Sequence, residues 1–544
     1  GTDGAGIPAV SGGWKELGRT TIQNAPTGSA TFTDTFQNNT GWTFVGSGIS
    51  VSGGEVYANT VTANGDNRIH KSLGVTLGDK FTAQWKHIPK GVSSGSVFFP
   101  IMNFTAGTGN LSTSTNQDRI YLFTDGTSQN LYARGQDGTT AGSNSNNQAL
   151  TSEQAHYLTL VKDGTSLKVY VRSGSHTGTL VNTLSTTVSS GITGLTHVQT
   201  GAMTGGNAGT GSYKIESLNV WNNQTIVSSA DDITVSSLDD KRYYMVLTDL
   251  QASGYILNNT RLNSDTGSNY AWRRSLNGAS DSTSASQTFI SQSDTGAQEA
   301  DFSVEYITNL SSKEKLTIAH VNENPSTGAG TAPTRIETVG KWANTSDAVS
   351  TITKHNSHTG DYTTGSECVV LGYDPDDTHT TNFWEELASV DVTTGTSIST
   401  GNFTAKKYLW VQFYLDASAI SFDWQFNSST DTQTSTYSGR HQNNGIGASG
   451  QNSDYTQINK NVMAENFGLN ASPHFGNMFI VNNASKEKLV TGKLVNQNTA
   501  TAGNAPNRAE FAYKWANTTN QINNITMLNS VNVSRFKMKV WGSN

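Results

Sequence analysis

The chain has 544 residues, of which 34% are hydrophobic and 14% charged, and its formal net charge is −7. Because Lys and Arg form no cluster in this weakly acidic chain, there is no basic field for a phosphate backbone, and nucleic acid is not an expected partner. No apolar run reaches the roughly 18 residues that a membrane-spanning helix needs, so no membrane insertion is expected.

The composition favours folded β-structure over disorder. Gly, Ser, Thr and Asn are abundant, Pro is scarce at 9 residues, and short apolar alternations recur along the chain. The length suggests about three domains, each large enough to bury a core. The single cysteine, Cys368, excludes an intrachain disulfide framework and is expected to pack as a small hydrophobe in a strand. The start at Gly1 leaves both processing and an omitted upstream segment open.

The first motif in chain order is WKEL at 14–17, which recurs as WEEL at 384–387. The later copy stands directly before a long repeated segment, whereas the earlier copy is separated from its repeat by over two hundred residues. Exposed loops tolerate domain insertion. Unless the four-residue match is chance, the first β-sandwich module is discontinuous, over 1–25 and 226–379. The inserted domain is then 26–225, and the second module is 380–544.

Two segments of the insert show the pattern of β-hairpins. Residues 157–161 alternate apolar and polar side chains, an Asp-Gly turn follows at 163–164, and the alternation resumes over 167–171. Residues 119–123 and 130–134 flank a Thr-Asp-Gly turn in the same way. Alternation with a period of two around an Asp-Gly turn predicts a half-buried antiparallel hairpin in each case.

The insert resembles a laminin-G or concanavalin-like jelly roll. The resemblance covers 29–224 and depends on FTDTF at 32–36, HYLTLVKDGTSLKVYV at 156–171 and YKIESLNVW at 213–221. It implies a glycan-binding domain without a required cofactor. Because some jelly rolls of this type hold calcium, the resemblance also implies that Asp34, near the first strand, is a candidate calcium ligand.

Glycan binding needs an aromatic ring for the apolar side of a sugar and fixed hydrogen-bonding groups. Arg119, Tyr121 and Phe123 share one strand face, and Tyr132 and Arg134 share a face of the next strand. If these faces coincide they form a polar and aromatic patch; the alternative is that Phe123 and one tyrosine fill the core. The candidate glycan-binding residues are Arg119, Tyr121, Tyr132, Arg134 and Trp42, the last of which also suits core packing.

The rest of the chain contains an internal duplication. SKEKL at 312–316 matches 485–489, and KWANT occurs at both 341–345 and 514–518. Residues retained in two copies with different surroundings are expected to serve the fold. We therefore expect Trp342 and Trp515 to be buried against a second sheet, and the arginines to pair with nearby glutamates, Arg335 with Glu337 and Arg508 with Glu510.

Acidic residues in the first module could suggest catalysis or metal binding. Glu299, Asp301 and Glu305 have even spacing, which would place three carboxylates on one strand face. However, the cluster lies outside the insert, and the second copy has Ser472, His474 and Met478 instead, so we expect no catalysis. Asp-Pro-Asp-Asp at 374–377 has oxygen ligands that suit calcium, but it lacks a Gly-spaced loop and is more typical of a turn. The histidines have no zinc-site spacing.

The two modules resemble repeated β modules of bacteriophage tail fibres and other virion surface proteins, through the strings WEELASV, FTAKKYLWVQF and SECVVLGYDPDD. The resemblance implies a non-enzymatic structural protein at the virion surface that contacts other virion proteins and forms a homo-oligomer. The inserted domain would bind host-surface glycan weakly, with many copies supplying avidity. The alternatives are a capsid decoration or tail assembly protein, a glycan depolymerase, and a cellular adhesin.

Overall fold

The fold is all-β, as the sequence predicts. A computed structural model describes residues 10, 11, 13–23, 26, 28–62, 65–92, 99–112, 115–125, 129–202, 209–224, 226, 229–293, 299–375, 377–379, 381–417, 422–427, 435–444, 451–459, 461–462, 473–497 and 500–544. The chain divides into two compact units, which we call the inserted unit (23–227) and the two-module unit (1–22 with 228–544). Every regular element in the described residues is a strand, and none of them forms a helix that could cross a bilayer.

The inserted unit is a sandwich of two antiparallel sheets. The first sheet, in spatial order, consists of Thr140–Ala141, Asn130–Asp137, Arg119–Asp125, Phe99–Thr105, Leu195–Gly201, Arg68–Leu77 and Thr43–Val45, with Gln148–Ala149 beside Asn130–Asp137. The second sheet consists of Thr179–Thr187, Ser166–Ser173, His156–Asp163, Lys80–Val92, Thr210–Asn222, Glu55–Thr62 and Ile49–Ser52, with Phe32–Asp34 beside Thr210–Asn222.

Both predicted hairpins of the inserted unit are confirmed. His156–Asp163 pairs with Ser166–Ser173 and places Leu160 opposite Val169, and both side chains are fully buried. Gly164 closes this hairpin at φ +57°, a left-handed conformation that glycine adopts without strain. The alternating apolar residues of the two sheets meet in one continuous core.

Each module of the two-module unit has an eight-stranded sheet and a four-stranded sheet. In the first module the larger sheet runs Lys15–Thr21, Glu367–Tyr373, Tyr243–Gln251, Ala300–Thr308, Lys315–Asn324, Thr334–Trp342, Tyr270–Leu276 and Ser282–Gln287. The smaller sheet runs Asp232–Ser236, Thr351–His355, Asn259–Leu262 and Ile290–Ser291. Two short ladders join Val10–Ser11 to Thr378–His379, and Ser229–Ala230 to Tyr362–Thr363.

The second module repeats this strand order. Its larger sheet runs Glu385–Val392, Val533–Ser543, Tyr408–Ala417, His474–Val481, Lys488–Asn496, Asn507–Trp515, Tyr437–Asn443 and Gln451–Ile458. Its smaller sheet runs Ser397–Ser399, Ile525–Asn529, Phe422–Phe426 and Asn461–Val462. The registers match too, because Tyr243 faces Thr308 in the first module and Tyr408 faces Val481 in the second. Corresponding positions can therefore be compared residue by residue.

The tryptophans of the repeated KWANT motif have matching environments. Trp342 and Trp515 are buried, and each stacks on a tyrosine, with centroid distances of 6.4 Å to Tyr270 and 6.2 Å to Tyr437. The predicted ion pairs are also present, at 2.9 Å for Arg335 with Glu337 and 3.5 Å for Arg508 with Glu510. Cys368 is buried in its strand as predicted, and burial raises the pKa of its thiol to about 12.

The acidic cluster of the first module belongs largely to the core. Glu299 is exposed and precedes the strand that begins at Ala300, so the prediction that it shares a strand face with the other two is wrong. Asp301 and Glu305 do share a face, but both are buried inside the sandwich. Ser472, an equivalent position in the second copy, and Asp376 lie outside the described residues. Asp377 pairs with Lys241 at 2.5 Å.

Candidate functional site

The first sheet of the inserted unit has one apolar face and one polar face. Ile120 and Leu122 lie on the apolar face and belong to the core. Because successive side chains of a strand point to opposite sides, Arg119, Tyr121 and Phe123 lie on the other side of the sheet. We call that side, away from the core, the polar face.

The hairpin register extends the polar face onto the neighbouring strand. Tyr121 stands opposite Arg134, and Phe123 stands opposite Tyr132. The rings of Phe123 and Tyr132 are stacked, with centroids 5.3 Å apart and an interplanar angle of 15°. The two strand faces therefore coincide, which the sequence left open, and Phe123 and Tyr121 are both buried.

A row of polar side chains crosses the polar face on the other side of Tyr121. The register places Asn103 beside Tyr121, Gln199 beside Asn103, and His70 beside Gln199. Asn103 Nδ2 donates to the Gln199 carbonyl at 3.2 Å, and Gln199 Nε2 donates to the Gly107 carbonyl at 2.7 Å. Among the described residues, neither Asn103 Oδ1 nor Gln199 Oε1 has a hydrogen-bond partner, although both are buried. Both side chains are fully buried, so they lie beneath the accessible surface of the polar face.

Arg119 and Tyr121 form the buried centre of the polar face. Arg119 donates from Nε and Nη2 to Gln136 Oε1, at 3.1 and 2.7 Å, and from Nη1 to the Leu111 carbonyl. Its guanidinium carbon lies 4.4 Å from the centroid of the Tyr121 ring. Burial lowers the pKa of Arg119 to about 10 and raises that of Tyr121. Both side chains are buried, so Arg119 and Tyr121 stabilise the polar face and are not part of its accessible surface.

Tyr132 and Arg134 form an accessible border, and both are half-buried. Exposed Asn147 donates from Nδ2 to the Tyr132 hydroxyl at 3.1 Å, and Arg134 Nε donates to the Gly142 carbonyl at 2.7 Å. These contacts fix a tyrosine ring, an amide and a guanidinium next to one another. We call Tyr132, Arg134 and Asn147 the Tyr132 edge.

A pair of histidines borders the polar row at its other end. The rings of His70 and His197 are 6.3 Å apart, and both residues are half-buried. Burial lowers the pKa of His70, as do the nearby charges of Arg68 and His197, so His70 is neutral at pH 7. A neutral imidazole both donates and accepts hydrogen bonds. Sequence reasoning missed these histidines and the two amides, whose only signal was alternation with apolar neighbours.

Trp42 and Asp34 do not join the polar face. Trp42 packs in the core, so the core interpretation of this residue holds and its assignment as a glycan contact is corrected. Its Nε1 donates to Asp34 Oδ2 at 3.0 Å, and Lys71 Nζ lies 2.7 Å from the same oxygen. Asp34 Oδ1 accepts from the Phe36 backbone at 2.8 Å. Both carboxylate oxygens are therefore engaged by protein groups, which a calcium ion at Asp34 would have to displace.

Two carboxylates lie near the strand ends of the polar face, and both are hydrogen-bonded. Asp118 accepts backbone N–H groups of Gly138 and Thr193, and Asp137 accepts the Ser189 hydroxyl at 2.5 Å. Within the described part of the chain, no group of three or more His, Cys, Asp or Glu side chains is arranged to hold a metal ion. The face offers an aromatic ring, amides, imidazoles and a guanidinium.

No protein-family model and no curated protein matches the chain. Among solved structures it is similar to Bacteroides ovatus xyloglucan PUL GH43B, at 15% identity and a TM-score of 0.26, over 36% of this chain and 40% of that one. It is also similar to the carbohydrate recognition domain of Emp47p, at 17% identity and a TM-score of 0.25, over 36% and 97%. The VIP36 exoplasmic/lumenal domain in its Ca2+/Man3GlcNAc-bound form matches at 11% identity and a TM-score of 0.25, over 34% and 85%.

Proposed function

We propose that the inserted unit binds glycan at the Tyr132 edge of its polar face. The observation that carries the proposal is the geometry of Tyr132, whose ring is backed by Phe123 and whose hydroxyl is held by Asn147. A sugar stacks its apolar side on such a ring while its hydroxyl groups bond to fixed polar neighbours. Arg134, on the same strand face, supplies donors in a rigid fork.

The accessible part of the polar face is small, because Asn103 and Gln199, on the same face as Tyr132, are fully buried. With one aromatic ring and few polar groups at the accessible edge, each site binds weakly. Useful affinity then requires several copies presented together, because linked sites raise the effective concentration of one another.

The test is a glycan array probed with the full chain and with Tyr132→Ala. We expect selective binding by the wild type and a loss of at least about tenfold in the variant, because ring stacking is removed. Tyr57→Ala is the matched control: Tyr57 is also half-buried and lies 5.0 Å from the Lys214 ammonium, but it is on the other sheet. A blank array with folded protein, or equal binding by Tyr132→Ala, would contradict the proposal.

Attachment to a glycan-bearing cell is the setting that we propose for this binding, with the protein at the surface of a virus particle and the two modules as its scaffold. A second candidate function, capsid decoration or assembly, is supported by a different observation. The two-module unit exposes large apolar side chains, among them Leu316 at 53% and Phe475 at 49%. Exposed apolar surface of this kind marks protein contacts.

A further inference from the structure

The second module packs onto the first through an apolar patch on its larger sheet. Tyr408, Phe479 and Leu489 are the centre of this docking patch, and they are 1%, 5% and 1% exposed. They form one cluster with outward-facing residues of the first module, including Met245 and Leu247. The contact is an aromatic-rich interface between two modules of one chain.

Polar contacts surround the docking patch and fix its position. Lys407 Nζ lies 3.1 Å from Asp249 Oδ2 and 3.2 Å from Glu367 Oε1. The Tyr408 hydroxyl donates to Glu367 Oε1 at 2.8 Å. Burial raises the pKa of Glu367, but the charges of Lys407 and Arg19 outweigh this effect and leave the pKa lowered, so the receiving face of the first module presents a charged carboxylate to the docking patch.

The first module has an equivalent of the docking patch, and this equivalent is exposed to solvent. Strand register makes Tyr243, Tyr306 and Leu316 the counterparts of Tyr408, Phe479 and Leu489. The three are 38%, 37% and 53% exposed. They line a surface depression of about 850 Å³ together with Trp14, the counterpart of Trp384. We call this surface the free patch.

On the second module, the counterpart of the receiving face is exposed. On the first module, the receiving face includes Phe302 and Asn322, which are 1% and 0% exposed. Their counterparts on the second module are Phe475 and Val495, which are 49% and 39% exposed. We call the surface around these two residues the free face.

Exposed apolar residues of the two-module unit concentrate on these two surfaces. Of its large hydrophobic side chains that are described and exposed, only Tyr255 and Leu310 lie elsewhere. The others are Tyr243, Tyr306, Leu316, Ile318 and Val339 around the free patch, and Phe475 and Val495 on the free face. Contiguous exposed apolar surface marks an interaction site.

We propose that the free patch of one copy binds the free face of a second copy, and so repeats between chains the contact that joins the two modules within one chain. The two surfaces are different, so the contact is heterologous. A heterologous contact generates a closed ring or an open filament, according to the rotation between neighbours. The inference is independent of the proposed glycan binding.

The contact between chains is weaker than the contact within a chain. Within one chain, Lys407 contacts the carboxylates of Asp249 and Glu367. On the free face, the counterparts of these two residues are Tyr414 and Lys537. Arg242, the counterpart of Lys407, therefore meets no matching carboxylates there. Apolar packing supplies the attraction without the flanking ion pairs, which makes the assembly concentration-dependent and reversible.

Sedimentation velocity of the full chain over a wide concentration range tests the proposal. We expect the mass to rise with concentration in the wild type, and Leu316→Lys in the free patch or Phe475→Lys on the free face to weaken association by at least about tenfold. Tyr255→Ser is the control, because it removes an exposed aromatic ring outside both surfaces. Tyr414→Asp combined with Lys537→Glu restores the two acids and is expected to strengthen association.

Mixing the two loss variants distinguishes a heterologous contact from a symmetric one. Leu316→Lys retains a free face, and Phe475→Lys retains a free patch, so the mixture forms dimers that grow no further. The proposal is overturned if the wild type stays monomeric at every concentration. It is also overturned if Phe475→Lys associates like the wild type, which would indicate a patch-to-patch dimer.

Discussion

Glu305 and Lys354 face each other in the interior of the first module, 2.8 Å apart and without exposed surface on either side chain. Thr260 donates its hydroxyl to the same carboxylate oxygen at 2.8 Å, and Lys354 also donates to Gln292 Oε1 at 3.0 Å. The charges are thus paired and hydrogen-bonded at a site that is shielded from bulk solvent.

Removal of one partner of this ion pair should lower the free energy of unfolding far more than removal of both. We expect Lys354→Met to lower the free energy of unfolding by about 3–5 kcal/mol, and the double variant with Glu305→Leu to recover most of that loss. Arg273→Ala, which removes an exposed pair with Asp281 at 3.2 Å, should cost about 0–1 kcal/mol. Urea unfolding measures all three. Equal losses for Lys354→Met and Arg273→Ala would refute the expectation.

Asp301 should make stability depend on pH in the direction opposite to an ordinary ion-paired carboxylate. Burial, followed by the nearby Glu323 charge, raises its pKa well above the usual range. The folded protein therefore holds a proton that the unfolded chain releases, so the free energy of unfolding falls as pH rises above about 4. Asp301→Asn removes this dependence. In thermal unfolding at several pH values, the stability of the variant relative to that of the wild type should increase as pH rises. A stability difference that does not change with pH would contradict this.

The two arginines of the duplicated motif should differ in their effect on stability. Arg335 is 1% exposed and donates to the Glu510 carbonyl at 2.6 Å and to Gln442 Oε1 at 2.8 Å, both in the second module. The side chain of Arg508 is 61% exposed. We expect Arg335→Ala to cost about 3 kcal/mol and Arg508→Ala about 0.5 kcal/mol or less, measured by urea unfolding of dilute protein. Similar losses for the two variants would count against this difference.

Calcium should have little effect on the stability of the inserted unit at Asp34. Lys71 and the Trp42 indole already occupy one carboxylate oxygen, and a backbone N–H occupies the other. We expect the melting temperature to differ by less than about 1 °C between calcium and chelator, since a ligand stabilises only the state that binds it. A rise of several degrees would show that calcium does bind, and Lys71→Ala would then test whether it displaces Lys71.

Local pattern was enough to predict strands, hairpins and shared faces. The hairpin of residues 119–123 with 130–134 follows from alternation and one turn, both of which can be read along the chain. The buried state of Trp342 and Trp515 follows from their retention in two copies. These features depend on neighbours in sequence or on the repeat itself.

Burial by distant segments was not predictable in the same way. Arg119 appeared to be a surface residue, but its guanidinium donates to the carbonyl of Leu111, in a loop eight residues earlier. Tyr243 and Tyr408 occupy equivalent positions in equivalent strands, yet only Tyr408 is covered. Alternation identifies the side of a strand on which a residue lies, but not which other segment covers that side.

The first module has an edge strand far from its partner in sequence: Lys15–Thr21 pairs with Glu367–Tyr373. On a translating ribosome this strand emerges early, but it can pair with Glu367–Tyr373 only after Tyr373 has left the exit tunnel. Residues 23–227 are complete long before that moment and fold as a unit in the interval. The order of synthesis therefore places the inserted unit first, the first module next and the second module last.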